Sequence, residues 1–397
     1  MNILYFIAFF RPHEIGGAEI SSRIYAETIA GMGERVFILT PNFGCARFSL
    51  KREGKNLVVI RFPFPASIKV AFPVFNTVFF NLYLFFLTAI IVSGFRIDII
   101  HIQSSPFFPA GIAAAKLFGK KSVITVRDIA YFSYSAKLEY FQRYGLLRYL
   151  FYTVYCCLYW PVYLLGRSLY RKADRIIPVS RYMEQEVITD LKMGREGIET
   201  VYNVIERDFV AGGRKIKTEK NSLLYVGRLA KSKGFDMILD SLDIVKRNVP
   251  GIKLYVVGNS DIERYKEIVG KKKLGKNVTF LGRMEYEQMK DIYRKFDIVV
   301  LPSVRAEPLS RVLIECSILG KAVVATDTGG TNEVIRDRQT GILVKPSAAA
   351  LAGGIQDMIK GERMKKNCEQ NIRKMAKFFE AESNAKRLKG IYRSLLE

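Results

Sequence analysis

The chain opens with Asn2-Ile-Leu-Tyr-Phe-Ile-Ala-Phe-Phe10 and, shortly after, Glu14-Ile-Gly-Gly-Ala18, a pair of segments that marks the start of a strand–turn–helix unit. The first run is continuously apolar and does not alternate, as expected of a strand buried on both faces of a parallel sheet. Gly16 and Gly17 then mark a turn, and Ala18 to Met32 carries helical spacing. A secretory signal fits poorly, because no basic residue precedes the run and no small-residue cleavage pattern follows it. The alternation recurs along the chain. Arg35–Thr40, Leu57–Phe62, Ile97–Gln103, Ser122–Val126 and Arg175–Val179 read as further strands with helical stretches between them, which predicts a doubly wound α/β domain.

A second series follows Val201-Tyr-Asn-Val204 and the polar stretch Glu206–Asn221. Its strands are Ser222–Val226, Lys253–Val257, Asn277–Leu281, Asp297–Pro302, Ala322–Thr326 and Gly341–Val344. Phe235–Asn248, Tyr286–Phe296 and Arg311–Leu319 read as helices between them. At 397 residues the chain is too long for one ordinary core. The expected architecture is therefore two Rossmann-like domains, residues 1–205 and 206–375. The final Arg363–Leu396 reads as helical, with residues 376–397 returning to the first domain.

Composition narrows the function classes. An apolar fraction of 49% and a charged fraction of 25% exclude a disordered or fibrous chain. The five Cys include no Cys-x-x-Cys, and with only two His a structural zinc site is excluded. Sparse, odd thiols fit a reducing, cytoplasmic compartment. The 62 basic against 38 acidic side chains give +24, which favours nucleotides, nucleic acid or an anionic membrane surface as partners.

Two segments bear on a membrane. Val70–Phe95 is 26 residues without a charge, but Pro73, Asn76, Asn81 and Thr88 interrupt it and it lies between two strands of one expected sheet. It reads as a buried or membrane-resting helix and not as a span. Tyr131–Tyr170 carries 14 aromatic residues in 40, interleaved with Lys137, Arg143, Arg148 and Arg167. That mixture suits a headgroup region, although aromatic packing between core helices would produce it too.

Three constellations carry chemistry. In Glu307-Pro-Leu-Ser-Arg-Val-Leu-Ile-Glu315, Glu307 follows a buried strand and so lies in a loop at the carboxyl edge, where open α/β sheets bind ligands. Pro308 suits the first turn of the next helix, which carries Glu315. Their separation is at most about 12 Å of helical rise, close to the span of a nucleotide-sugar from hexose to ribose. Backbone N–H groups around Leu309 and Ser310 would meet a diphosphate at that helix N-terminus. In Val226-Gly-Arg-Leu-Ala-Lys-Ser-Lys-Gly234, Arg228 and Lys233 follow another strand and can converge on phosphate oxygens, although taken alone the segment reads as a basic surface turn. Gly16-Gly17 is weaker; it matches neither a dinucleotide fingerprint nor a Walker loop.

Together these residues resemble the GT-B glycosyltransferases that retain anomeric configuration, of the glycosyltransferase family 4 (group 1) type. The resemblance extends to Ala173-Asp-Arg-Ile-Ile-Pro-Val-Ser180, Val201-Tyr-Asn203, Val256-Val-Gly258, Phe280-Leu-Gly-Arg283 and Thr328-Gly-Gly-Thr-Asn-Glu333, in the family's order. It implies two domains facing each other across a cleft. Arg228 and Lys233 would hold the donor diphosphate, Glu315 the ribose hydroxyls and Glu307, as the catalytic carboxylate, the transferred sugar. The backbone near Arg283 and Met284 would receive the base, and Gly16 and Gly17 would close on the donor from the other domain. One departure stands out. In Thr125-Val-Arg-Asp128 the family commonly has His where this chain has Arg127, and a guanidinium does not act as a base near neutral pH. Arg127, Asp128 and His101 are the acceptor-side candidates, although a lone histidine at a strand end, as His101 is, is more often structural.

The expected reaction is front-face transfer from a nucleoside-diphosphate sugar, with no cofactor and no metal. The acceptor is expected to be a glycan or lipid-linked hydroxyl at the cytoplasmic face of an anionic membrane, with no nucleic acid involved. A glycosidase-like carboxylate pair is not expected, because retention by that route needs carboxyls about 5 Å apart. The rival readings are another GT-B enzyme such as a nucleotide-sugar epimerase, and a catalytically silent membrane-associated GT-B binding protein.

Overall fold

A computed structural model of the chain describes residues 1–13, 16–43, 45, 47–64, 73–104, 107–127, 164, 166–206, 209 and 216–397, with residues 73–78 described as helix only. The chain divides into two compact units, Met1–Tyr202 with Ala381–Glu397, and Asn203–Glu380.

The first unit is built on a seven-stranded sheet. Its strands are β1 (Asn2–Phe6), β2 (Arg35–Phe43), β3 (Ser49–Arg52), β4 (Leu57–Phe64), β5 (Ile99–Ile102), β6 (Lys121–Val126) and β7 (Arg175–Pro178). Their order is β3-β4-β2-β1-β5-β6-β7. All neighbours run parallel except β3 and β4, which pair Ser49 with Arg61 in antiparallel register. Ile3, Leu4 and Tyr5 of β1 are wholly buried, which is why that strand shows no alternation. The expected first strand is shorter than its apolar run, ending at Phe6. Edge strand β3 was not expected; all four of its residues are exposed, so no burial pattern marks it in the sequence.

Helix α1 (Gly17–Gly31) crosses from β1 to β2, and α2 (Pro73–Phe95) follows β4. In α2, Leu84, Leu87, Thr88, Ile91 and Val92 are buried, while Phe79, Leu82, Tyr83, Phe86 and Ile90 form an exposed apolar stripe. The polar Thr88 is accommodated inside by donating to Leu84 O at 2.6 Å. Among the described residues no helix is long and apolar enough to cross a membrane. The aromatic stretch from Tyr131 to Tyr163 lies outside the described residues, as do Val70–Phe72.

The second unit has a six-stranded, all-parallel sheet in the order β10-β9-β8-β11-β12-β13. The strands are β8 (Glu219–Val226), β9 (Lys253–Val257), β10 (Val278–Gly282), β11 (Phe296–Leu301), β12 (Ala322–Thr326) and β13 (Ile342–Val344). Helix α5 (Phe235–Asn248), which follows α3 (Phe108–Leu117) and α4 (Arg181–Leu191) in chain order, packs Phe235 edge-on against Tyr225 and Tyr265, at 5.0 and 4.7 Å between ring centroids. Fully burying such a ring contributes roughly 1.5–3 kcal/mol, enough to seat the start of α5 on β8.

In both sheets strands are added first to one side of the opening strand and then to the other. The order therefore reverses between β1 and β5 in the first unit, and between β8 and β11 in the second. The crevice beyond the carboxyl ends of such a pair is where doubly wound sheets bind ligands.

The expected single helix at the C-terminus is interrupted. Glu362–Met375 and Ala381–Leu396 are separate helices with a short 3-10 turn, Ala376–Phe379, between them. Phe379 is buried, and extended Glu380 bridges to Ile205, which breaks the helical ladder there. Ala381–Leu396 then belongs to the first unit, where Lys389 lies 2.6 Å from the Glu34 carboxylate.

Candidate functional site

The second unit gathers the donor-side residues beyond β8 and β11. After β8 the chain passes Gly227 and Arg228, and Tyr225 donates from its hydroxyl to Arg228 O at 2.6 Å, fixing the turn. Leu229 is buried and its N–H donates to Ser260 Oγ at 2.8 Å. Arg228 is left exposed at this edge. Lys233 closes a 3-10 turn, and its Nζ lies 3.0 Å from Glu307 Oε1. Ser303 donates from its hydroxyl to the same carboxylate oxygen. Glu307 is thus held between a cation and a hydroxyl at the point where the strand order reverses.

Two glycines make this approach feasible. Gly234 has φ 71°, and a Cβ there would lie 1.6 Å from Pro302 O. Gly329 has φ 57°, and a Cβ there would lie 2.2 Å from Glu307 O. Any side chain at either position would push apart the loops that carry Lys233 and Glu307. Val304 and Arg305 donate their N–H groups to Ser232 O at 3.1 Å each, and Gly330 donates to Glu307 O at 2.8 Å.

Glu315 lies on a helix spanning Arg311–Leu319. Ser310 is its N-cap, so Pro308 lies in the preceding loop and not in the first turn as expected; Leu309 and Ser310 are buried at the loop's end. Glu315 is 5% exposed, and Arg311 Nε donates to its Oε1 at 3.0 Å while Tyr293 donates to its Oε2 at 2.6 Å. Burial raises the pKa of this carboxyl, and Arg311 and Tyr293 work against that rise. A carboxylate has about four lone-pair sites, so acceptor capacity remains on both oxygens. Met284, half-buried, follows β10 at the same sheet edge, just before the helix Tyr286–Lys295.

In the first unit Gly16 is the N-cap of α1 and Gly17 its first residue, beyond the carboxyl end of β1. Ala8 N donates to Ser104 Oγ at 3.0 Å, joining the ends of β1 and β5. Arg127, half-buried after β6, donates to both the side-chain and the backbone oxygen of Gln103. Burial lowers its pKa to about 10, still charged at neutral pH. Asp128 lies outside the described residues. His101 departs from the acceptor-side expectation. It is wholly buried, with Nε2 2.7 Å from Thr125 Oγ1 and Nδ1 2.5 Å from the Tyr392 hydroxyl. Burial, with Arg127 adding to it, holds its pKa well below the usual value, so it is a neutral core residue.

The family described as glycosyl transferases group 1 matches residues 207–375, and glycosyltransferase family 4 matches residues 15–209. The chain belongs to the GT-B glycosyltransferases of this group 1/family 4 type. Among its relatives is an uncharacterized glycosyltransferase of Methanocaldococcus jannaschii, 27% identical over 425 aligned positions that cover 100% of this chain and 99% of the relative. A similar fold is seen in sucrose-phosphate synthase from Thermosynechococcus elongatus, with a TM-score of 0.75 at 19% identity, covering 100% of this chain and 99% of that one. Anabaena HepE, solved with UDP-glucose, superposes with a TM-score of 0.72 at 17% identity, covering 99% of this glycosyltransferase and 100% of that chain.

The structure of this glycosyltransferase therefore brings Arg228, Lys233, Met284, Glu307, Leu309, Ser310 and Glu315 to one sheet edge, and Gly16, Gly17 and Arg127 to the corresponding edge of the other sheet. Sequence reading missed Ser303, Tyr293 and Arg311. Arg311 had a signal, since it stands four residues before Glu315 on a helix. Ser303 and Tyr293 had none, because their contacts span different elements. Among the described residues no group of three or more His, Cys, Asp or Glu is arranged to hold a metal ion.

Proposed function

We propose that this enzyme is a retaining glycosyltransferase that moves a sugar from a nucleoside-diphosphate donor to an acceptor hydroxyl without a metal ion. The observation that carries the reading is the Glu307 carboxylate fixed between Lys233 and Ser303 at the β8–β11 reversal. HepE, of the same fold, was solved with UDP and with UDP-glucose, which supports a nucleotide-sugar donor. An ammonium has three donors, so Lys233 can serve Glu307 and a phosphate oxygen together. Arg228 supplies a second cation at the same edge. As the bond from the sugar anomeric carbon to the phosphate oxygen breaks, negative charge develops on the departing diphosphate, and preplaced cations stabilise it. The acceptor oxygen bonds to the anomeric carbon from the same face and passes its proton to the leaving diphosphate. Glu307 steadies the sugar as positive charge grows on it, and Glu315 accepts from the ribose hydroxyls.

The acceptor is proposed to be lipid-linked or membrane-proximal, at the cytoplasmic face. The exposed stripe Phe79, Leu82, Tyr83, Phe86 and Ile90, ending near exposed Arg96 on a chain of net charge +24, supports that placement. Transfer assays with a panel of nucleotide-sugars, followed by NMR of the product's anomeric configuration, test the reaction. An inverted product, or donor turnover that needs no acceptor, would defeat it.

A further inference from the structure

Arg311 makes more of its guanidinium than a helical ion pair requires. Its Nε donates to Glu315 Oε1 at 3.0 Å, one terminal nitrogen donates to the Tyr286 hydroxyl at 2.6 Å, and the other donates to Val204 O at 3.2 Å. The guanidinium also lies over the Tyr286 ring, 4.9 Å from its centroid, and Phe209 stacks on that ring at 5.2 Å and 24°. An exposed pair at this spacing would let both side chains move. Here the Arg311 and Glu315 side chains are only 12% and 6% exposed, so their positions are set by packing. On the other side Tyr293 donates to Glu315 Oε2 at 2.6 Å. Each carboxylate oxygen thus receives one donor from the protein, which leaves an acceptor site on each. Two acceptor sites on one carboxylate match the paired hydroxyls of a ribose cis-diol.

We infer that Arg311 is a positioning residue for the nucleoside, fixing the Glu315 carboxylate so that it accepts from both ribose hydroxyls of the donor. The inference rests on the proposed role of Glu315. A protonated carboxyl would turn one acceptor into a donor, and burial favours that form. The titratable groups around Glu315 are Tyr293 and Tyr286 from the helix Tyr286–Lys295, Arg311 and Cys316 from its own helix, and Glu206 beyond Tyr286. Burial pushes the Tyr293, Tyr286 and Cys316 groups upward, away from neutral pH. Removing Arg311 takes away the cation that opposes the rise at Glu315, so its carboxyl becomes protonated nearer neutrality. A lysine would return the charge without the planar fork.

Calorimetric titration of the full chain tests this, with UDP, GDP and ADP as probes, and with the 2′,3′-dideoxy form of whichever binds most tightly. The ratio of dideoxy to ribose affinity cancels the titration of the phosphate itself. Wild type is expected to prefer the ribose form by about ten- to a hundredfold, with little change between pH 6.5 and 8.5. Arg311→Gln should lose most of that preference at pH 6.5 and recover part of it by pH 8.5. Arg311→Lys should keep a reduced preference that is flat with pH, and Glu315→Gln should abolish it throughout. Full ribose preference in Arg311→Gln at pH 6.5, with loss in Glu315→Gln, overturns the positioning role alone. If Arg311→Gln does not fold, an undiminished preference in Arg311→Lys overturns it. Full preference in Glu315→Gln, or no nucleotide binding by wild type, overturns the reading of the site and this inference with it.

Discussion

Glu307 and Lys233 are bound to each other in the structure, and their proposed roles separate in kinetics. Glu307→Gln keeps the shape but removes the charge that would steady the reacting sugar. Turnover is expected to fall about a hundredfold, some 2.7 kcal/mol of barrier, with nucleotide affinity little changed. Equal activity of variant and wild type in a transfer assay would refute the assignment. Lys233→Ala removes a cation meant for the diphosphate, so both KM and turnover should worsen. With Arg228 and Lys233 as the counter-charge, activity should survive excess EDTA; loss to chelator and recovery with Mg²⁺ would show that a metal does this instead. These residues were legible in sequence because each follows a buried strand directly. Ser303, which shares the Glu307 carboxylate, was not, since nothing local distinguishes a serine that will meet a carboxylate from one that will meet water.

At the scale of an element, α2 shows what an uncharged run leaves undecided. Its polar interruptions argue against a span, but its length and composition do not separate a core helix from a surface one. The structure buries one side, Leu84, Leu87, Thr88, Ile91 and Val92, and exposes Phe79, Leu82, Tyr83, Phe86 and Ile90 on the other. Surface burial of such a stripe in a bilayer interface is favoured by apolar area and by nearby cations. Phe86→Glu with Ile90→Glu should therefore abolish flotation with anionic liposomes at low salt, while leaving thermal stability close to wild type because both side chains are already exposed. Unchanged flotation of the double variant would rule out this face as the attachment. The C-terminal helix gives the opposite lesson: its sequence is helical throughout, and the break at Phe379–Glu380 comes from burying Phe379 and pairing Glu380 with Ile205.

At the scale of the whole molecule, the chain enters the second unit at Asn203 and leaves it at Glu380, so its last helix completes the first unit's core. Tyr392 from that helix reaches both the Tyr5 hydroxyl, at 2.7 Å, and His101. His101 is held neutral inside this network, whereas in the unfolded chain it has an ordinary pKa near 6.5. As pH falls below about 6.5 the unfolded state therefore takes up a proton that the folded state refuses, and stability declines at up to about 1.4 kcal/mol per pH unit. Melting temperatures measured from pH 7.5 to 5 should show this decline in wild type and a shallower one in His101→Gln. Equal slopes would mean that His101 is not the responsible group.

Periodicity and turn residues were enough to place nearly every strand, because strands buried on both faces must be apolar throughout and glycine must stand where loops approach at left-handed backbone angles. They were enough also for Arg228, Lys233, Glu307 and Glu315, whose positions follow from the strands before them. Edge strand β3 escaped because an exposed strand needs no pattern. The sequence left His101 open for a related reason: whether a strand-end histidine meets a ligand or lies in the core depends on Tyr392, 291 residues later in the chain. The contacts of Glu315 to Tyr293, and of Arg311 to Val204 and Tyr286, likewise exist only once separate elements pack. Local composition determines which residues are charged or apolar, but desolvation and hydrogen-bond partners come from elements distant in sequence, and only the tertiary structure decides them.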